Sequence, residues 1–192
     1  MGLGQTMLTI LFFVLLMLMF LNAIQTLNNA DKDLLTAEVT KTASDLSRSL
    51  IAEILTKKFD EGSTPTSLQT STGSFSSTSR LGPDAGWPYY RTQEGFSLPD
   101  RLPTFKSILN YDDVDDYDGY SRIDSANGFA GFEDSVIVYY VDATQSPAVY
   151  SSSITWYKQI EVWITQSQYL INDSKKPIWL KFSVIVTNVR KG

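Results

Sequence analysis

Between Gln5 and Glu61 the chain contains no glycine and no proline. These two residues end helices most strongly, so this stretch is free to run as one helix. Its front is apolar: the 18 residues from Met7 to Ile24 are interrupted only by Thr9 and Asn22, and the first charged side chain is Asp31. About 20 apolar residues cross the hydrocarbon core of a bilayer. A cleaved secretory signal opens on basic residues and closes on a small-x-small site. Here no Lys or Arg precedes the run, and "LNAIQTLNNA" offers only weak cleavage points.

After Asp31 the character changes but the helical period continues. Leu35, Val39, Ala43, Leu46, Leu50 and Ile54 recur at spacings of four and three, which is one apolar stripe on a helix. Asp31, Lys32, Lys41, Asp45, Arg48, Lys57 and Lys58 fall mostly off that stripe. The Lys pair at the end suits the helix dipole, and Gly62 supplies a stop. The pattern predicts one helix of about 54 residues, about 80 Å long. It is apolar all round at first and amphipathic afterwards. A membrane anchor followed by a stalk fits the same pattern, although no strict heptad is sustained.

The last third reads as β-structure. Ser135 to Ala143, Ile154 to Gln166 and Ile178 to Val189 are rich in β-branched and aromatic residues. In the second run Ile160, Val162 and Ile164 alternate with Gln159, Glu161, Trp163 and Thr165, so one face is buried. "QSPA" and "NDSKKP" supply turns, and short connections favour an antiparallel meander. Its apolar face needs a cover, and the stripe of the long helix is available. The expected fold class is α+β, with the rear half of a long helix packed on an antiparallel sheet and the apolar front half protruding.

Between helix and sheet the sequence is polar. Twelve of the residues from Ser63 to Ser79 are Ser or Thr, a composition that builds a surface loop rather than a core. Trp87, Tyr89 and Tyr90 lie among turn formers, where they either pack the loop down or form a contact patch. Asn172, Asp173 and Ser174 form an N-glycosylation sequon, a short and weak pattern. The sharpest polar motif is "NYDDVDDYDGY", with Asp112, Asp113, Asp115, Asp116 and Asp118 in close succession. Like charges this close raise one another's pKa unless cations or donors offset them. Ca2+ binding is one reading, since calcium takes six to eight oxygen ligands and Gly119 permits a sharp turn. The spacing is not that of an EF-hand. The other reading is a solvated acidic loop partly paired with Arg101, Lys106 or Arg122.

Composition excludes several functions. The chain of 192 residues has no Cys and no His, and hence no disulfide, thiolate nucleophile or imidazole base. A net charge of −5 argues against nucleic acid as the main partner. Five adjacent aspartates do not separate an acid from a base as a glycosidase requires. No enzymatic role is expected.

The segment "GQTMLTIL" resembles the processing site of prepilin-like proteins, in which a short leader ends in Gly and a hydrophobic helix follows. The one-piece helix, and the closing strands "YKQIEVWITQ" and "PIWLKFSVIVTNVRKG", are similar to that family too. The resemblance covers the first 60 residues well and the last 40 loosely. It implies a leader over 1–4 cut after Gly4 by a prepilin peptidase, with Gln5 becoming the first mature residue. It further implies a transmembrane or filament-core helix over 5–30, an amphipathic continuation over 31–61, a loop region over 62–133 and a sheet over 134–192. Thr9, Leu11, Phe12, Val14, Leu15, Leu18, Phe20 and Leu21 would then line a filament core. Their partners would be copies of this chain or related pilin-like subunits, after an initial stay in the inner membrane. The family usually carries Glu at the fifth mature position, where this chain has Thr9, and a basic residue in the leader, which "MGLG" lacks. The resemblance therefore implies a minor or divergent type IV pilin or pseudopilin on the cell surface or in the periplasm. A membrane-anchored extracytoplasmic binding module that never polymerises is the alternative.

Overall fold

The computed structural model describes residues 2–61, 63, 71–79, 81–83, 111–172 and 174–188. The chain forms two compact units, Met1–Thr40 and Lys41–Gly192. Helix α1 covers Leu3–Leu55, 53 residues, and contributes to both.

In the first unit every residue from Gly2 to Leu34 is exposed. This stretch is long and apolar enough to cross a membrane, by length and composition. Its few hydroxyls are satisfied within the helix. Thr6 Oγ1 donates to Leu3 O (2.8 Å), Thr9 Oγ1 to Gln5 O (2.8 Å) and Thr26 Oγ1 to Asn22 O (2.9 Å). Such back-bonding lets a hydroxyl enter an apolar medium without an orphan donor.

The helix stops at Leu55, earlier than the glycine signal predicts; Gly62 itself lies outside the described residues. The chain tightens, with Thr56 N donating to Glu53 O (3.1 Å) and Lys57 N to Ile54 O (3.0 Å). Lys58 then pairs in parallel with the acidic segment: its N–H donates to Asp112 O (3.2 Å) and its carbonyl accepts from Val114 N (2.9 Å). The bonds to Glu53 O and Ile54 O satisfy carbonyls that a helix end leaves open, and Lys58 continues the chain as a strand-like segment.

The second unit holds a five-stranded sheet. Its strands are β1 (Ser121–Ala126), β2 (Phe129–Asp142), β3 (Val149–Tyr150), β4 (Tyr157–Gln166) and β5 (Leu180–Thr187). All pairings are antiparallel in the order β1-β2-β4-β5, with β3 on β2. The meander matches the sequence reading, but the sheet begins at Ser121 rather than near residue 134. β1 and the first turns of β2 lie in the stretch read as loop. Asn127 (φ 53°) and Gly128 (φ 82°) make the left-handed two-residue turn that joins them. Gly131 (φ 79°) sits at a bulge, where the register shifts between Asp124 and Ser125.

On the inward face Val136 pairs with Val162 and Val138 with Ile160. These four side chains are buried with Leu50 and Ile54 of α1 and with Tyr111, Val114, Tyr117 and Tyr120. The rear of the expected stripe, Leu50 and Ile54, therefore packs in one core with the sheet. The three tyrosines meet edge to face, with ring centroids 4.9, 5.5 and 5.7 Å apart.

Candidate functional site

The acidic motif is not a solvated loop. Asp113, Asp115 and Asp116 are 2–3% exposed, and Asp115–Tyr117 form one turn of 3₁₀ helix. The local fold follows from short carboxylates bonding nearby backbone donors. Asp113 Oδ1 accepts from the N–H groups of Asp115 (3.0 Å) and Asp116 (3.1 Å). Asp116 Oδ2 accepts from Asp112 N (2.8 Å) and Asp113 N (3.3 Å). Asp118 Oδ1 accepts from Val138 N (3.0 Å), which docks the turn on β2. Asp112 pairs with Lys58 at 2.7 Å on the surface.

Asp115 turns inward to Lys158 on β4. The Lys158 ammonium is fully buried and makes three short contacts: Asp115 Oδ1 at 2.6 Å, Asp60 Oδ2 at 2.7 Å and Phe59 O at 2.8 Å. Its three protons are thereby placed. The rings of Phe59 and Tyr140 lie against it, with centroids 4.6 and 5.3 Å away. Asp60 is held from its far side, since Ser76 N reaches Oδ1 (3.1 Å) and Oδ2 (3.0 Å). The Tyr140 hydroxyl donates to Ser76 O (2.8 Å) and lies 3.3 Å from Asp60 Oδ2. Burial, reinforced by Asp60 and Asp115, pushes the Tyr140 phenol up. Burial, then the charges of Asp115 and Asp116, pushes Asp113 up to about 9, with Lys158 working against it.

A second buried cluster lies around Arg122 of β1. Its guanidinium meets Asp124 Oδ2 at 2.7 Å, Asp134 Oδ2 at 3.3 Å and Glu53 Oε2 at 3.4 Å. Burial disfavours the charged guanidinium, but Asp124, Asp134, Tyr120 and Glu53 outweigh it and its pKa is raised. Burial also pushes Asp134 up to about 7, opposed by Arg122 and aided by Asp124. The Tyr117 hydroxyl donates to Glu53 Oε1 at 2.7 Å, joining this cluster to the tyrosine core.

Among the described residues, Lys58 and Lys158 pair with aspartates of the acidic motif, and Lys57 Nζ donates to Tyr111 O. Arg122 serves the other cluster, and Arg101 and Lys106 lie outside the described residues. The five aspartates turn to different partners, and among the described residues no three His, Cys, Asp or Glu side chains are grouped to hold a metal ion.

Sequence reasoning missed Lys158, Asp60, Ser76 and Tyr140. One signal was available. Lys158 stands in phase with Ile160, Val162 and Ile164, and Tyr140 with Val136 and Val138. A Lys on the buried phase of a strand must find carboxylates, because an unpaired buried charge is prohibitively costly.

At the N-terminus, the Gly4–Gln5 bond lies in the exposed first turn of α1, where Gln5 N donates to Gly2 O (2.9 Å) and no atom crowds a Cβ built at Gly4. Leu11, Phe12, Val14, Leu15, Leu18, Phe20 and Leu21 are all exposed. Trp87, Tyr89 and Tyr90 lie outside the described residues, as does Asp173 of the sequon. Asn172 is exposed, and its Oδ1 accepts from Ser174 N (3.0 Å) and Lys176 N (2.9 Å). No protein-family model, curated protein or solved structure matches this chain.

Proposed function

We propose that the chain is a structural subunit of an extracellular type IV pilus-like or pseudopilus filament, assembled through its N-terminal helix. The observation that carries this reading is the apolar front of α1, exposed from Gly2 to Leu34 within an unbroken 53-residue helix. Full burial of a Leu, Val or Phe side chain is worth about 1.5–3 kcal/mol. The seven apolar positions from Leu11 to Leu21 named above therefore represent on the order of 10 kcal/mol that lipid or neighbouring helices must supply. In this reading the inner membrane holds the subunit first, and copies of the chain or related subunits replace the lipid on assembly. A prepilin peptidase cuts after Gly4. The first turn of a helix has few internal bonds, so opening it for cleavage costs little.

Mass spectrometry of the native N-terminus tests the proposal. The expected result is a chain beginning at Gln5, and Gly4→Leu should block the cut and leave the protein in the membrane. A native chain that retains Met1, with normal filaments or with none, refutes processing at Gly4. Absence of filaments would then favour the non-polymerising anchored module.

A further inference from the structure

We propose that Lys158 and Asp60 condense into an intramolecular amide bond, between Lys158 Nζ and Asp60 Cγ, inside the folded head. The inference does not depend on filament assembly. It rests on a nucleophile and an acyl group held in contact where water is excluded. Lys158 and Asp60 side chains are both fully buried, with Nζ 2.7 Å from Asp60 Oδ2. Fixing two reactants at contact distance removes most of the entropic barrier to their reaction. Ordinary carboxylates and amines do not condense in water, but this pair is walled by Phe59 and Tyr140.

The surroundings supply the other parts of an acyl transfer. Ser76 N–H is shared between Asp60 Oδ1 (3.1 Å) and Oδ2 (3.0 Å), so a donor already faces the carboxyl oxygens on which negative charge develops when Cγ becomes tetrahedral. The Tyr140 hydroxyl lies 3.3 Å from Oδ2, the oxygen that must depart. Asp115, the second carboxylate on Nζ at 2.6 Å, is placed to carry protons. The Lys158 ammonium gives one proton to Asp115, and the freed lone pair attacks Asp60 Cγ. Asp115 delivers that proton to Oδ2. A second N–H proton follows the same route as the tetrahedral species collapses. The Cγ–Oδ2 bond breaks with its electron pair on oxygen, water leaves, and Asp115 returns to its starting form. One cation and one anion become a neutral amide, so two buried charges that are costly to keep dry disappear. No oxidant, metal or external energy source enters the balance.

The test uses the full chain as purified, digested with trypsin and analysed by tandem mass spectrometry. The expected product is a branched peptide joining residues 59–80 to residues 123–175, lighter than the sum of the two by one water and uncut at Lys158. Lys158→Arg and Asp60→Ala should each give only linear peptides, and Asp115→Ala should leave most of the chain linear. If those variants fail to fold, the native chain still decides the matter. Linear peptides alone from the native chain, with trypsin cleaving after Lys158, overturn the proposal. A branch mapped to Asp115 overturns the choice of Asp60 as acyl group.

Discussion

Replacing Asp113 by Asn should stabilise the protein at neutral pH. The side chain is 2% exposed and its carboxyl is pushed up to about 9, by burial first and then by Asp115 and Asp116, from an ordinary 3.8. The folded state thus keeps a proton that the unfolded chain releases above 3.8. The contribution of this group is complete below that value and is lost as pH rises toward 9. At about pH 7 the interval is about three pH units, an upper bound of about 4 kcal/mol at 1.36 kcal/mol per unit. Asp115 and Asp116 share the same charge, and the turn can relax, so an effect of about 1–2 kcal/mol is expected. Asn keeps the geometry. Its amide oxygen still accepts from the N–H groups of Asp115 and Asp116, and its amide N–H replaces the acid proton facing Asp115. Urea unfolding of the full chain in detergent, followed by tryptophan fluorescence at about pH 5 and about pH 7, measures the change. The variant should gain little at the lower pH and most at the higher. Some slope should survive in the variant, because Asp134, pushed up to about 7, titrates in the same sense. A variant less stable than the native chain at pH 7, or one with an unchanged pH slope, would refute the reasoning.

Arg122→Met leaves Glu53, Asp124 and Asp134 facing one another and should cost about 3–5 kcal/mol at neutral pH. The loss should shrink in acid as the carboxylates take up protons; a thermal melt series across pH reads both. Calcium added to the full chain should give no heat in a titration and no rise in Tm, because the carboxylates of the acidic turn are engaged elsewhere; binding with stabilisation would show that the turn rearranges around the ion. Thr9→Glu should raise filament yield if the mature amine of Gln5 is free, since burying an unpaired ammonium costs several kcal/mol, on the order of the penalty a carboxylate offsets. It should lower yield if Gln5 has cyclised to an uncharged ring. N-terminal mass and yield are measured together, and a free amine with filaments lost contradicts the charge argument.

The parts of this fold that follow from periodicity were readable in the sequence. The stripe ending in Leu50 and Ile54, and the alternation of Ile160, Val162 and Ile164, each imply a buried face, and the two faces meet in one core. The parts that follow from single left-handed residues were obscured. β1 was hidden because "SRIDSA" is short and polar, and Asn127 and Gly128 sit inside a glycine-rich stretch that reads as loop. The helix end was misplaced because it is set by a distant partner: Lys58 leaves the helix to pair with Asp113, which no local propensity records. The acidic motif was conspicuous, but its partners depend on which side chains the turn of the chain brings beneath it. Lys158 could have been found by its phase on β4, whereas Ser76 carries no such mark within a run of Ser and Thr.

The junction just after α1 has a mechanical meaning. Tension drawn along the helix axis leaves the helix at Leu55 and within a few residues meets the Lys58 pairing with Asp113 and the grip of Lys158 on Asp60. Both anchor the chain to the head before it enters the Ser and Thr stretch. The pull is therefore passed to β4, which is hydrogen-bonded on both sides by β2 and β5 and lies in the middle of the strand order. A strand held along both edges resists sliding through many bonds at once, while an outer strand peels one bond at a time. Ser76, farther along the polar stretch, holds Asp60 from its far side and Tyr140 of β2 through its carbonyl, so part of the load is also carried from Asp60 to β2.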